Sequence, residues 1–193
     1  MDFYIAALGR SGSTALANYL STPPDHVVFH EPGLSRSAPT RLFPMQLADW
    51  GIPEDRAFDR HWAAKETRAA FHQPMLERYR PAKVLLGVRR VRDAALSLLE
   101  KHRRQDLLGE YDDGWTTDYL HAETRGLVAF ARELERAGVS TLVVRYEEFG
   151  ENLLASVARW VGWPGGGDMS RGWIGSAGRS RWSGTARASC RMS

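Results

Sequence analysis

The sequence predicts an α/β domain built on a parallel sheet, because short apolar runs alternate with helical segments along the chain. The clearest runs are residues 3–8, 83–88 and 141–146, which have strand length; the first two are apolar enough to be central strands of a parallel sheet. A helical pattern follows each of them. We therefore expect one domain at residues 1–163 of the 193-residue chain.

The first apolar run leads into a Gly-Arg-Ser-Gly-Ser-Thr turn at residues 9–14 and then a helix predicted to end at Leu20. Gly9 and Gly12 let the backbone turn sharply and approach a ligand, because neither carries a Cβ. The helix start directs free backbone N–H groups and the positive end of its dipole at the space above the turn, which suits a phosphate or sulfate. The polar side chains there are Arg10, Ser11, Ser13 and Thr14.

The spacing of this turn differs from that of the nucleotide-hydrolase loop. That loop has four residues between its glycines and a Lys-Ser or Lys-Thr pair directly after the second glycine. Here only two residues separate Gly9 from Gly12, and no lysine follows. Taken alone, the turn is equally compatible with an ordinary tight turn that binds nothing.

A second candidate anion site follows the strand predicted at residues 83–88. Helical spacing places Asp93 and Ser97 on one face of the next helix, predicted from Ala94 to His102, and Arg89 lies at the end of the strand. Ligands of open α/β sheets bind beyond the carboxyl ends of the strands, where a guanidinium and a hydroxyl suit a phosphate. The alternative is a solvated basic helix start capped by Asp93.

Together these segments resemble the sulfotransferases that use 3′-phosphoadenosine 5′-phosphosulfate (PAPS). Residues 9–14 are similar to their 5′-phosphosulfate loop, and residues 88–97 to their 3′-phosphate segment. Residues 143–154 resemble the strand and helix that usually follow. The resemblance covers about residues 3–163 and implies a three-layer, P-loop-like α/β fold with a central parallel sheet flanked by helices.

The resemblance also implies PAPS as the cofactor and a role for individual residues. Arg10 takes the place of the basic residue that touches the transferring sulfuryl group. The residues that would bind the 5′-phosphosulfate are Arg10, Ser11, Gly12, Ser13 and Thr14. Arg89 and Ser97 would bind the 3′-phosphate and so distinguish PAPS from nucleotides that lack it.

The catalytic base is predicted beside the second strand, at residues 27–29. Glu31 follows this strand, where several carbohydrate sulfotransferases carry a catalytic glutamate, and it would take the proton of the acceptor hydroxyl. A turn carboxylate without a chemical role is equally compatible with the sequence. His30 and His61 are rival bases.

Lys65 is the third candidate catalytic residue. It follows the short apolar run at residues 62–64, where cytosolic relatives carry a lysine near the transferred group. There it could neutralise charge that develops on the bridging oxygen. A solvated lysine beside Glu66 is the simpler alternative.

The composition limits the function classes. The net charge of +3 is modest and does not indicate nucleic acid. A single cysteine excludes an internal disulfide and zinc sites built on several thiolates, and it suits a reducing compartment. The sequence has no apolar run of membrane-spanning length and no apolar leader, so we expect a cytoplasmic protein without a membrane span. No metal ligand set is predicted.

The predicted function is PAPS-dependent sulfuryl transfer to a hydroxyl or amine of a small-molecule or carbohydrate acceptor. The alternatives are an ATP-dependent P-loop phosphotransferase and a non-catalytic module that binds a bisphosphate. The proline-containing residues 34–61 are expected to shape the acceptor pocket. Residues 164–193 are rich in Gly, Ser and Arg and predict a loose, partly disordered tail, although Arg179 and Arg181 could instead fold over an anion.

Overall fold

Five parallel strands form one sheet in the order β2-β3-β1-β4-β5. The structure is a computed structural model that describes residues 1–23, 25–31 and 59–166. The strands are β1 Phe3–Ala7, β2 His26–His30, β3 His61–Glu66, β4 Lys83–Val88 and β5 Ser140–Arg145. Because they are parallel, their carboxyl ends share one edge of the sheet, here called the upper edge, and their amino ends share the lower edge.

Helices cover both faces of this sheet. They are α1 Ser13–Leu20, α2 His72–Tyr79, α3 Val91–Arg104, α4 Asp113–Arg136 and α5 Glu151–Val161, with single 3₁₀ turns at Ala69–Phe71 and Tyr146–Glu148. Phe3 and Ile5 point into a core shared with α1 and α5. Tyr4 and Ala6 point into the opposite core, which α2, α3 and α4 line. The predicted three-layer α/β fold with a central parallel sheet is therefore confirmed.

Three helix starts differ from the sequence prediction. The apolar spacing of Leu120, Leu127, Phe130 and Leu134 predicts a helix from Tyr119 to Ala137. The helix instead begins at Asp113, because the Asp112 carboxylate accepts a hydrogen bond from the Trp115 N–H at 2.8 Å and caps it. Proline favours the first position of a helix, which predicts a helix start at Pro74. Helix α2 begins two residues earlier, and Pro74 lies within its first turn, where proline is tolerated. Helix α3 begins at Val91.

The residue that caps the start of α3 also differs from the predicted Asp93. The residue before this helix, Arg90, donates its backbone N–H to the Glu147 carboxylate at 2.7 Å. Asp93 lies in the first turn of the helix and makes no capping hydrogen bond there. The cap is thus supplied by the segment after β5.

Parts of two predicted regions lie outside the described residues. They are residues 32–58, which include most of the expected acceptor segment, and residues 167–193 of the predicted tail. Among the residues that are described, no helix combines the length and apolar character needed to cross a membrane.

A buried tyrosine–histidine pair lies in the core beneath α2. The Tyr4 hydroxyl and His72 Nδ1 are 2.8 Å apart, and both side chains are almost wholly buried. Burial, with a contribution from Glu66, raises the pKa of Tyr4, so its hydroxyl stays protonated and donates. Burial lowers the pKa of His72 to about 4, so its imidazole is neutral at pH 7, and Nδ1 can accept the Tyr4 hydrogen bond in the tautomer protonated at Nε2.

This pair predicts a pH-dependent stability. The folded pKa of His72 lies below its unfolded value of about 6.5, so the unfolded chain takes up a proton first as the pH falls. The contribution of neutral His72 to the free energy of unfolding is fully present above about pH 6.5 and is lost progressively as the pH falls towards 4. Between pH 7 and pH 5, the unfolding free energy measured in urea should fall by about 1–2 kcal/mol less in His72→Asn than in the wild type. Exposed His121→Asn is the control; equal pH profiles for His72→Asn and the wild type would contradict this account.

Candidate functional site

The glycine turn at the upper edge joins β1 to α1 in an unusual backbone conformation. Arg10 and Gly12 both have positive φ, 67° and 74°. The Leu8 N–H bonds to the Gly87 carbonyl at 2.9 Å, and the Ser11 N–H bonds back to the Leu8 carbonyl at 3.2 Å. Gly12 caps α1 without a side chain, so the first N–H groups of the helix are left for a ligand.

Two aromatic rings pack directly on Gly12. A Cβ at this position would lie 2.6 Å from the Tyr146 ring and 2.7 Å from the Phe149 ring, both closer than carbon atoms approach. These rings belong to the segment that follows β5. A glycine is therefore required at position 12 for two reasons: its positive φ and the close approach of these rings.

Arg89 extends from the end of β4 to the same turn. Its Nη1 donates to the Arg10 carbonyl at 3.0 Å, and its guanidinium lies 4.2 Å from the centre of the Tyr146 ring. Its Nε is buried and has no hydrogen-bond partner among the described residues. Arg89 thus braces the turn and retains an N–H that is unsatisfied.

Arg10 connects the two predicted anion sites. Its Nε donates to the Ser97 hydroxyl on α3 at 3.0 Å. Burial, together with the nearby charge of Arg89, lowers the pKa of Arg10. Within the described ranges, neither guanidinium has a carboxylate within ion-pair distance. Two adjacent cations without a counter-charge favour an anion at this edge.

Lys65 and Glu31 form an ion pair at the ends of β3 and β2. Lys65 is only 2% exposed, and its Nζ donates to Glu31 Oε1 at 2.7 Å and to Thr14 Oγ1 at 3.4 Å. The sequence alternative of a solvated lysine beside Glu66 is therefore wrong. The ammonium links the predicted base to the first turn of α1.

The Glu31 carboxylate is held from two sides and remains accessible. Its side chain is 51% exposed and also accepts a hydrogen bond from the Thr67 hydroxyl at 3.1 Å. Partial burial would raise its pKa, but the charge of Lys65 and the hydrogen bonds from Lys65 and Thr67 outweigh this effect and lower it. Glu31 is consequently ionised at neutral pH and able to accept a proton.

The two rival bases lie in different places. His30 directly precedes Glu31, and burial and the charge of Lys65 lower its pKa to about 4, so its imidazole is neutral. His61 begins β3 at the lower edge, where its Nδ1 is 2.6 Å from Asp2 Oδ2 and its ring stacks on His26. His61 therefore lies at the opposite edge from Lys65 and Glu31.

Sequence reasoning missed several residues that shape this edge. Glu66 is fully buried, and its Oε1 accepts the N–H groups of Thr67 at 2.9 Å and Arg68 at 3.2 Å. Burial raises the pKa of Glu66. Thr67, whose hydroxyl reaches Glu31, and Tyr146, which covers Gly12, were not singled out either. Their roles depend on contacts between distant segments, which leave no local pattern.

The structure brings most of the predicted site residues together at the upper edge. Arg10 contacts both Arg89 and Ser97, and Lys65 contacts both Glu31 and Thr14. Ser11 is buried, and its hydroxyl has no hydrogen-bond partner among the described residues. Over the described ranges, no group of three or more His, Cys, Asp or Glu could hold a metal ion.

Comparison with solved structures identifies a fold of known type. A sulfotransferase from Alicyclobacillus acidocaldarius matches 88% of this chain and 84% of its own, with a TM-score of 0.55 and 20% sequence identity. At this level of identity the match shows a sulfotransferase-like α/β fold. No family model matches the sequence, and no curated protein matches it.

The packing on Gly12 predicts an asymmetry between the two glycines of the turn. Gly12→Ala should destabilise the fold by about 1–3 kcal/mol, since its Cβ would overlap the two aromatic rings. Gly9→Ala is the matched control: a Cβ there meets nothing within 4 Å, and we expect a change within about 0.5 kcal/mol. Equal unfolding free energies for the two variants, measured in urea, would contradict this packing.

Proposed function

We propose that this protein is a sulfotransferase that transfers a sulfuryl group from PAPS to a hydroxyl or amine acceptor. The observation that carries the proposal is the contact between Arg10 and Ser97, which joins the glycine turn to the arginine–serine segment in one cation-rich site. A donor with two separated anionic groups fits such a site. The sulfotransferase-like fold supports the same proposal.

The donor would be bound by both turns. The N–H groups and hydroxyls of residues 11–14 would hold the 5′-phosphosulfate, at the positive end of α1. Arg89 and Ser97 would hold the 3′-phosphate, for which the unsatisfied Arg89 Nε supplies a donor. Arg10 lies between the two groups and would neutralise charge on the transferring sulfuryl group.

The reaction would be an in-line displacement at sulfur. The acceptor oxygen forms a bond to sulfur, the bond from sulfur to the bridging phosphate oxygen breaks, and adenosine 3′,5′-bisphosphate leaves. Glu31 would take the acceptor proton. Lys65 contacts both Glu31 and Thr14, so its ammonium is positioned to offset negative charge near the first turn of α1 as the leaving oxygen develops it.

The donor assignment predicts a strong preference for a 3′-phosphate. By calorimetry, the protein should bind adenosine 3′,5′-bisphosphate at least tenfold more tightly than adenosine 5′-phosphate. Arg89→Ala should abolish this preference, because a guanidinium that binds phosphate is lost. Arg92→Ala, an exposed arginine of α3, should retain it.

Equal affinity for the two nucleotides would contradict the donor assignment. Magnesium-dependent ATP turnover would instead support a phosphotransferase. Selective binding of the bisphosphate without transfer to any acceptor of a broad panel would indicate a binding module.

The base assignment predicts a separation of binding from turnover. Glu31→Gln should lower kcat by at least about 100-fold, because the amide cannot accept the acceptor proton. The affinity for adenosine 3′,5′-bisphosphate should change by less than threefold. The control is Glu148→Gln, an exposed carboxylate on the segment after β5. Normal turnover by a folded Glu31→Gln protein, verified by thermal unfolding, would remove Glu31 from this role.

A further inference from the structure

The first turns of α4 project beyond the upper edge of the sheet. This helix has 24 residues and is about 36 Å long, whereas the six residues of β4 span about 20 Å. Since α4 leads into the lower edge, where β5 begins, its amino-terminal half extends past the strand ends. Glu123 marks the crossing point, because its carboxylate accepts the N–H of Ala69, just after β3, at 2.6 Å.

Three aromatic residues spaced four apart form a row on this projecting segment. Tyr111 precedes α4, and Trp115 and Tyr119 lie on its first two turns. The Tyr111 and Trp115 ring centres are 4.5 Å apart, and the Trp115 and Tyr119 rings stack in parallel at 5.0 Å. His102 of α3 packs against the first two rings, yet the Trp115 side chain stays 39% exposed.

The aromatic row leads towards the candidate base. Tyr119 lies one helical turn before Glu123, which binds the segment after β3. Thr67 of that segment donates its hydroxyl to Glu31. In keeping with this placement, burial and the charge of Glu123 raise the pKa of Tyr119, the charge of Arg68 opposes this effect, and Glu31 and Glu66 add to it. A ligand lying along the row would therefore have one end near Glu31.

The charge of this segment restricts what the row can bind. Between residues 105 and 123 there is no lysine or arginine, and the acidic residues are Asp106, Glu110, Asp112, Asp113, Asp118 and Glu123. The last turn of α3 beside the row also carries Lys101, Arg103 and Arg104, and acidic residues still outnumber basic ones here. This balance disfavours an anionic chain. Aromatic faces pack against the C–H surface of a sugar ring, and carboxylates accept hydrogen bonds from its hydroxyls. An open row of this kind suits an extended polar ligand better than a small phenol, which needs an enclosing pocket.

We propose that the row formed by Tyr111, Trp115 and Tyr119 binds the neutral carbohydrate part of the acceptor and directs one sugar hydroxyl to Glu31. The binding step follows from this surface alone. The transfer step rests on the proposed function.

The proposal is tested first by direct binding to the full-length protein without donor. The probes are chitohexaose, cellohexaose, mannohexaose and β-1,4-galactohexaose as neutral chains, a heparin hexasaccharide as an anionic chain, and 4-methylumbelliferone as a phenol. We expect at least one neutral chain to bind in calorimetry. Trp115→Ala should weaken that binding at least tenfold, because the central and partly exposed ring of the row is lost. Val128→Ala, which removes an exposed apolar side chain further along α4, should not.

The outcomes separate this proposal from the sulfotransferase proposal. Binding of a neutral chain through Trp115 without sulfuryl transfer would support the carbohydrate surface and count against the reaction. Selective binding of adenosine 3′,5′-bisphosphate, with no neutral chain bound, would overturn the carbohydrate surface alone. The carbohydrate surface would also be overturned if only the heparin chain or the phenol bound. The same holds if a folded Trp115→Ala protein bound the neutral chain as tightly as the wild type.

Discussion

The site depends on the parallel pairing of β1 with β3 on one side and β4 on the other. Ala6 pairs with Glu66, and Ala7 pairs with Gly87, so the chain leaves all three strands at the same height. The glycine turn, the Lys65 ammonium and Arg89 then meet, although they lie far apart in the sequence. If β3 or β4 ran antiparallel to β1, the polar residues at the carboxyl end of that strand would lie at the lower edge instead.

The upper edge concentrates positive charge at a cost to stability. Lys65 is buried and forms an ion pair with the half-exposed carboxylate of Glu31. Arg89 donates a hydrogen bond to the Arg10 carbonyl, and neither arginine forms an ion pair within the described residues. Buried charges and adjacent cations destabilise a fold unless an opposite charge compensates them. Such arrangements are frequent where a protein binds an anion, because the ligand supplies the missing charge.

The strands and the glycine turn were predictable because their signals are local. Continuous apolar runs predicted β1, β4 and β5, and the Gly-x-x-Gly spacing predicted the tight turn between β1 and α1. The burial of Lys65 was not predictable, since β3 is short and ends in charged residues that resemble a solvated segment. The early start of α4 was missed because Asp112 and the Asp-Gly pair after it are typical of a turn.

Contacts across the sheet explain the other differences. Gly12 leaves no room for a side chain, because Tyr146, more than a hundred residues later in the sequence, packs on it. Arg10 was singled out for the glycine turn alone, and its side chain also reaches Ser97 on α3. Neither contact has a signature in the spacing of nearby residues, and both follow from the order of the strands.

A crystal structure of the protein with adenosine 3′,5′-bisphosphate tests the central claim most directly. The account predicts one ligand with its 5′-phosphate on the N–H groups of residues 12–14 and its 3′-phosphate within hydrogen-bond distance of Arg89 and Ser97. A bisphosphate bound with either phosphate away from the upper edge would contradict it.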